Sequence, residues 1–201
     1  MASILGSMLL GACSVVGIRS GTEEPAFMVL ERPGALEVRQ YGPRVAAETS
    51  VDAAEVAARS EGFSRLAGYI FGRNAGSAKI AMTAPVAQEP GERIATTAPV
   101  SQDGSVIRFF LPSGLTVASA PRPLDDRVRV VDVPGQTVAV LRFTGSTAPD
   151  AVGARKAELM AALPGTAWVA VGEPFAWFYD PPWTLPPLRR NEVAVVVRRA
   201  G

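Results

Sequence analysis

The chain has 201 residues, of which 48% are hydrophobic and 19% charged, and its formal net charge is +1. This composition is typical of one globular domain, and a near-neutral charge without a dense basic run argues against a nucleic-acid partner. Histidine is absent and cysteine occurs once, which excludes histidine-dependent nucleophile systems, an intrachain disulfide and a cysteine- or histidine-built zinc site.

The chain begins with an apolar run that ends at its single cysteine, Cys13. The run is too short to span a bilayer, for which about 20 apolar residues are needed, but it suits the apolar region of a secretory signal. Residues 10–13 (LGAC) resemble a bacterial lipobox, in which the cysteine is lipidated. No Lys or Arg precedes the run, so an apolar N terminus with an incidental cysteine is the alternative.

From this pattern we predict three regions along the chain. They are a signal and lipobox-like segment at residues 1–13, a tether at 14–25 and a folded domain at 26–201. A lipid on Cys13 would hold the domain at a membrane surface in the cell envelope or periplasm. A cytoplasmic location is the alternative.

The first half of the domain is predicted to contain strands and one helix. The strands are Phe27–Glu31, Leu36–Tyr41 and Arg44–Ser50, and Gly42-Pro43 is predicted to join the last two as a hairpin. The helix, Asp52–Phe71, is predicted to be capped by Asp52. Its apolar residues share one face and are Val56, Phe63, Leu66, Ala67 and Ile70. Ordinary core packing is the common role of such a face, and Gly62 predicts close approach of a flat body or another backbone.

A short motif then occurs twice, as Lys79–Val86 and, nearly repeated, within Glu92–Val100. Residues 88–91 read as a tight turn, so the two copies are predicted to form a β-hairpin whose strands end at Thr-Ala-Pro. The motif favours an architectural role. Met82 is the exception, because its thioether could face an iron or fill a gap in the core.

The second half is predicted to repeat the order of strands, helix and strands. The predicted elements are a strand at Ser105–Leu111, a hairpin of Val128–Val133 and Gln136–Phe143, a helix at Thr147–Leu163, an interrupted strand at Trp168–Tyr179 and a closing strand at Glu192–Arg199. This order predicts a pseudo-duplicated α+β fold, with two helices packed against an antiparallel sheet.

The stretch Tyr179–Val197 joins a stiff loop of aromatic and proline residues to two arginines and a valine-rich strand. Proline fixes φ and lacks an N–H, so the loop cannot continue as a helix. The stretch predicts a lip over an apolar pocket for a flat acidic molecule, with Arg189 and Arg190 as the cations. The alternative is a proline-rich connection to an edge strand, with solvated arginines.

Three motifs in order resemble the SOUL haem-binding protein family: residues 69–74 (YIFGRN), the two copies ending in TAPV, and the terminal YDPP…RRNEV. The resemblance covers Phe27–Val197, although the second copy has Thr96 where the first has Met82. It implies a distorted antiparallel β-barrel of about eight strands flanked by two α-helices. That architecture is also similar to bacterial effector-binding domains for small hydrophobic ligands.

The resemblance further implies non-enzymatic, non-covalent binding of haem or another tetrapyrrole, with the first helix as one wall of the site. The site residues on this interpretation are Phe63, Arg65, Leu66, Ala67, Ile70, Tyr179, Trp183, Arg189 and Arg190. Arg59 also flanks the helix wall. Without histidine, Tyr69, Tyr179 and Met82 are the possible weak iron ligands that remain, and metal-free porphyrin is expected to bind nearly as well as haem.

Two other classes of function stay open at this level. One is an envelope-anchored interaction or effector-binding module that does not bind haem. The other is a tetrapyrrole-modifying enzyme that uses an isolated carboxylate, Glu173 or Asp180, as a base. The sequence shows no constellation of nucleophile, base and oxyanion donors for it.

Overall fold

A computed structural model of the chain describes residues 22–91, 104–181 and 183–201. The helices are α1 (Glu55–Ile70) and α2 (Pro149–Ala162), and a single 3₁₀ turn covers Pro186–Leu188. The strands are β1 (Phe27–Glu31), β2 (Glu37–Tyr41), β3 (Arg44–Asp52), β4 (Val86–Pro90), β5 (Gly104–Phe110), β6 (Arg129–Val133), β7 (Gln136–Phe143), β8 (Trp168–Ala170), β9 (Phe175–Phe178) and β10 (Asn191–Arg199).

The strands form one curled sheet in the order β1-β2-β7-β10-β9-β4-β5-β3-β6, and β8 pairs with the end of β10. Every pair of named strands is antiparallel. Between described residues the path does not close on itself, so the sheet is a half-barrel with β1 and β6 at its edges. The predicted antiparallel α+β fold with two flanking helices is confirmed.

Alternation along the strands separates two faces of the sheet. On one face, α1 packs over β3 and β5 around Leu66, Ile70 and Ile107. On the same face, α2 packs over β7 and β10, and the predicted inward residues Val152, Leu159 and Leu163 are buried there. We call this the helix face.

The opposite face, which we call the inner face, buries its side chains within the curl of the sheet. Its cluster draws on strands from both halves of the order, including Tyr41, Phe110, Val140 and Trp177. The Tyr41 and Trp177 rings meet edge to face, with centroids 5.5 Å apart. The alternating apolar residues of β7 therefore contribute to both faces, as its continuous apolar sequence predicts.

Gly62 of α1 allows the helix to approach β5. A Cβ at this position would lie 2.5 Å from Cγ1 and 2.8 Å from Cβ of Ile107. The close approach predicted at Gly62 is thus made by Ile107, a side chain of the protein's own core.

Both hairpin predictions at the Gly-Pro and Pro-Gly turns are wrong. β2 pairs with β1 and β7, while β3 pairs with β5 and β6. β6 and β7 do not pair with each other either. At both turns the chain crosses from one half of the sheet to the other, so that Gln136 lies opposite Tyr41 and Val133 opposite Arg44. A two-residue turn permits a hairpin, but burial of the flanking strands decides their partners.

Three further expectations are corrected. Asp52 ends β3 instead of capping α1, whose N-cap is Ala54 without a side-chain hydrogen bond. Residues 88–90 belong to β4, which pairs with β5 and β9, so they are not a turn between two copies of the motif. The second copy lies outside the described residues. β10 is a central strand between β7 and β9, not an edge strand.

Candidate functional site

The predicted helix wall on α1 divides into a buried part and an accessible part. Leu66 and Ile70 are fully buried in the core under α1. Phe63 and Ala67 are half-buried, and Val56, one turn or more towards the N terminus, is exposed. Positions 56, 63 and 67 share one side of a helix, which flanks the buried side: Phe63 and Ala67 still pack against the core, and the Phe63 ring lies 5.2 Å from that of Phe109.

The predicted cation Arg65 is directed towards the sheet. Its Nη1 donates to Thr49 Oγ1 at 3.2 Å and to the Ser50 carbonyl at 3.1 Å, and its Nη2 pairs with Glu61. These contacts hold the Arg65 guanidinium between α1 and β3.

Tyr179, Arg190 and Glu192 belong to one buried network on the inner face. The Tyr179 hydroxyl donates to Glu192 Oε2 at 2.6 Å, and the Arg190 guanidinium lies 3.7 Å from the centre of the Tyr179 ring. Arg190 also pairs with Glu24 at 2.9 Å and with Glu192 at 3.1 Å. On the other side, Arg39 binds the Glu192 carboxylate with both terminal nitrogens, at 2.8 and 3.1 Å.

The pKa values in this network follow from burial and from the paired charges. Burial opposes the charged form of Glu192, but the hydrogen bond and charge of Arg39, with Tyr179 and Arg190, outweigh it and lower the pKa of this carboxyl. Burial and the negative charge of Glu192 raise the pKa of the Tyr179 phenol. Tyr179 is thus held as a neutral hydrogen-bond donor, and a phenolate able to bind iron would have to leave the network.

The loop after β9 presents apolar side chains to solvent. Trp183, Leu185 and Leu188 are 60%, 52% and 45% exposed. Arg189, which follows the 3₁₀ turn, donates its Nε to the Thr184 carbonyl at 2.8 Å. Pro182, which belongs to the stretch predicted to form a lip, is outside the described residues. Three exposed apolar side chains on one loop are typical of a binding surface.

Arg59 connects α1 to this loop region. Its Nη2 donates to the Thr147 carbonyl at 3.2 Å, and its guanidinium lies 4.5 Å from the centre of the Phe178 ring. Burial lowers the pKa of Arg59; Glu55 opposes this, and the positive charge of Arg189 lowers it further. Arg59 and Arg189 therefore lie near each other, with the Glu55 carboxylate also close to Arg59.

These side chains define the candidate site, which we call the α1–loop surface. It consists of Val56, Arg59, Phe63, Ala67, Trp183, Leu185, Leu188 and Arg189. Sequence reasoning named Arg59 only as a neighbour of the helix wall and did not name Leu185 or Leu188. The two leucines carry a signal in the sequence, because they are apolar residues within a proline-rich loop.

The motifs on which the resemblance rests are largely architectural. Asn74 is buried and donates Nδ2 to the carbonyls of Tyr69 and Ala78, both at 2.8 Å, while its Oδ1 accepts from the Ala78 N–H at 2.9 Å. Thr83 donates its hydroxyl to the Phe110 carbonyl. Met82 is 37% exposed and so lies outside the buried core.

Two cavities lie away from the α1–loop surface. The larger, about 520 Å³, is lined by residues 23–26, 42–45, 110–113 and 115–116 with Thr83 and Asp132. The smaller, about 240 Å³, includes Arg65. In the described part of the chain, no group of three or more Cys, Asp or Glu residues is arranged to hold a metal ion. None of the described helices is both long and apolar enough to cross a membrane.

Comparison with known proteins identifies related chains. A family model described as SOUL heme-binding protein matches residues 22–196. Heme-binding protein 2 of Homo sapiens is 38% identical over 117 residues, which are 57% of this chain and 54% of that protein. Heme-binding protein 2 of Mus musculus is 33% identical over 142 residues, which are 65% and 66% of the two. The chain thus spans about half to two thirds of these relatives.

Similar solved structures include the EcmrR C-terminal domain, with a TM-score of 0.61 at 9% identity. The match covers 82% of this chain and 98% of that domain. At this identity the similarity concerns the fold alone.

Proposed function

The chain belongs to the SOUL heme-binding protein family, and on this basis we propose that it binds haem or a related tetrapyrrole without covalent attachment or catalysis. The observation that carries the proposal is the family match over residues 22–196. Two relatives bear the name Heme-binding protein 2. Because the chain spans only part of their length, what it binds is proposed from its own site.

The α1–loop surface has the chemistry that a tetrapyrrole requires. The ligand is a flat apolar disc with two carboxylates, and it needs apolar contact area and cations. Phe63 and Ala67 on α1, with the exposed Trp183 on the loop, supply apolar area. Arg59 and Arg189 supply two guanidinium groups, which bind carboxylates through charge-assisted hydrogen bonds.

Iron is a secondary determinant in this proposal. The chain contains no histidine, and the Tyr179 hydroxyl is engaged by Glu192. Met82 is 37% exposed, and a thioether alone is a weak ligand for ferric iron. Binding therefore rests on the porphyrin body and its carboxylates, so metal-free protoporphyrin should bind nearly as tightly as hemin.

The test is a titration of hemin, and in parallel of metal-free protoporphyrin, into the 201-residue chain, followed by absorbance. Saturable binding of both ligands with similar dissociation constants supports the proposal. Binding of hemin alone would mean that a side chain ligates the iron and would direct attention to Met82. Binding of neither above a control protein would overturn the proposal.

The site within the protein is tested by replacing the two arginines of the α1–loop surface. Arg59→Gln combined with Arg189→Gln should weaken tetrapyrrole binding by about 1.5–3 kcal/mol, roughly 10- to 150-fold in Kd, if one charge-assisted contact is lost. The matched control is Arg198→Gln, an exposed arginine at the end of β10, which should bind as wild type does. Equal affinities of the folded double variant and the control would place the ligand elsewhere.

A protein-binding module is the second candidate function, and the exposed Trp183, Leu185 and Leu188 favour it. Such a patch suits a protein partner as well as a flat ligand. Failure of both titrations, with retention of the fold, would leave this candidate in place.

We also propose that Cys13 is lipidated and that the domain is anchored in the cell envelope. The support is the lipobox-like residues 10–13 alone, and Cys13 lies outside the described residues. Mass spectrometry of the chain expressed in a bacterium would detect a diacylglyceryl group on Cys13, and Cys13→Ser should abolish it. An unmodified cysteine in the full-length product would refute the anchor.

A further inference from the structure

Arg44, at the start of β3, has a buried guanidinium without a hydrogen-bond partner in the described part of the chain. All three of its side-chain nitrogens are inaccessible to solvent and unpaired. Other arginines of the inner face contrast with it, since Arg39 and Arg190 bind Glu192, and Arg108 binds Glu48. A buried cation without a hydrogen-bonded partner is costly, and native proteins usually pair such groups.

Two aromatic rings hold the Arg44 guanidinium in place. Its central carbon lies 4.5 Å from the centre of the Tyr41 ring and 4.6 Å from that of Phe110. Cation–π contact offsets part of the cost of desolvating the guanidinium. The ring faces offer no lone pair in the guanidinium plane, so the N–H donors of Arg44 stay without an acceptor. Burial accordingly lowers the pKa of Arg44, although nearby Tyr41 and Glu89 oppose the shift.

The larger cavity, about 520 Å³, lies at this arginine. Arg44 and Phe110 line it together with apolar side chains that include Val45, Leu111 and Leu115. This volume is in the range of small-molecule sites, which combine mostly apolar walls with a few polar groups.

Three acidic residues, Glu23, Glu24 and Asp132, also line the cavity, and none of them forms a hydrogen bond with Arg44. Glu24 is paired with Arg190, and Glu23 Oε1 accepts from the Ser113 N–H at 2.8 Å. Asp132 is exposed to solvent on β6. Arg44 is the one cationic residue among those that line this cavity, and its covered nitrogens lack a hydrogen-bond partner in the described chain.

We propose that the cavity binds an apolar molecule bearing one carboxylate, whose two oxygens pair with the Arg44 guanidinium. A planar guanidinium and a carboxylate match in a two-point arrangement. The Tyr41 and Phe110 rings cover the Arg44 nitrogens, so binding requires the Arg44 side chain to rotate into the cavity. The apolar body of the ligand lies against Val45, Leu111 and Leu115. The site is separate from the α1–loop surface, since none of the residues of that surface lines the cavity. Phe110 belongs to the inner-face cluster, and Leu111 and Leu115 belong to the cluster under α1.

The experiment uses cis-parinaric acid, a monocarboxylate whose fluorescence increases in apolar surroundings, and its methyl ester, titrated into the 201-residue chain. Wild type should bind the acid saturably and at least tenfold more tightly than the ester. Arg44→Met should weaken binding of the acid 10- to 100-fold and leave binding of the ester unchanged. The control Arg198→Met should behave as wild type. Equal affinities of wild type for acid and ester would overturn the proposal without recourse to any variant.

Two further measurements locate the site. Leu115→Trp, which fills the cavity from a loop, should abolish binding of both probes, whereas Arg189→Gln on the α1–loop surface should change neither. Displacement of the bound acid by one equivalent of protoporphyrin would refute a separate site, and independent binding would support it. Removal of a buried unpaired charge should not lower the melting temperature of Arg44→Met, and circular dichroism verifies that this variant folds.

Discussion

The buried carboxylate of Glu192 offers the sharpest test of how the inner face is held together. Its Oε2 accepts from Arg39 Nη1 at 2.8 Å and from the Tyr179 hydroxyl at 2.6 Å, and its Oε1 accepts from Arg39 and Arg190, both at 3.1 Å. The side chain has no exposed surface. We consider Glu192→Gln, which keeps the shape of the side chain and removes its charge.

The substitution leaves two guanidinium groups facing a neutral amide. Removing one partner of a buried ion pair costs about 3–5 kcal/mol, because the remaining charge stays desolvated. Total stabilities of globular domains are about 5–15 kcal/mol, so the loss is a large fraction of the whole. For a chain of this size it corresponds to a decrease in melting temperature of roughly 6–20 °C.

Urea unfolding followed by tryptophan fluorescence measures the free energy of unfolding, and circular dichroism gives the melting temperature. The matched control is Glu37→Gln, because Glu37 contacts the same arginine, Arg39, at 3.2 Å but is 26% exposed. Partly exposed pairs contribute about 1 kcal/mol or less. Equal losses from the two substitutions would refute the reasoning, since burial of the carboxylate would then make no difference.

Two other predictions concern packing and pH. Gly62→Ala should destabilise the protein by about 1–3 kcal/mol, because the new methyl group overlaps with Ile107. Gly153→Ala in α2 should stabilise it by about 0.5–1 kcal/mol, because nothing lies within 4 Å of the new methyl group. Urea unfolding of both variants measures the two changes in free energy. Because the pKa of Glu192 is lower in the folded than in the unfolded protein, its stabilisation is complete above the ordinary glutamate pKa of about 4.3 and is lost as pH falls through the folded-state pKa. The difference in unfolding free energy between wild type and Glu192→Gln should therefore shrink from pH 7 towards pH 3, and a constant difference would contradict this assignment.

Local structure was largely predictable from the sequence. The second helix and its buried residues Val152, Leu159 and Leu163 follow from apolar spacing, which any compact fold must bury on one side. The break in the strand after Trp168 follows from residues 172–174, and Gly172 does adopt a φ of +85°. Among site features, the absence of histidine limits how iron can be bound in any arrangement of the chain.

Strand partners were not predictable from turn residues. Gly42-Pro43 and Pro134-Gly135 indicate where the chain turns, but the strands on either side pair in different halves of the sheet. Pairing depends on which faces each strand must bury, and that is a property of the whole sheet. Of the predicted cations, Arg65 pairs with Glu61, and Arg190 pairs with Glu192 and Glu24. Glu24 lies 166 residues from Arg190, so the residues around Arg190 in the sequence could not reveal this contact.

The sequence by itself therefore determined the class of fold, the family and the positions of most helices and strands, because these depend on local spacing and on short motifs. Only the tertiary structure decided which charges are paired. Arg39 and Glu192 are 153 residues apart and share two hydrogen bonds, while the guanidinium nitrogens of Arg44 are buried without any in the described chain. Whether a side chain stabilises the fold or is left to meet a ligand depends on the groups that the curl of the sheet brings around it.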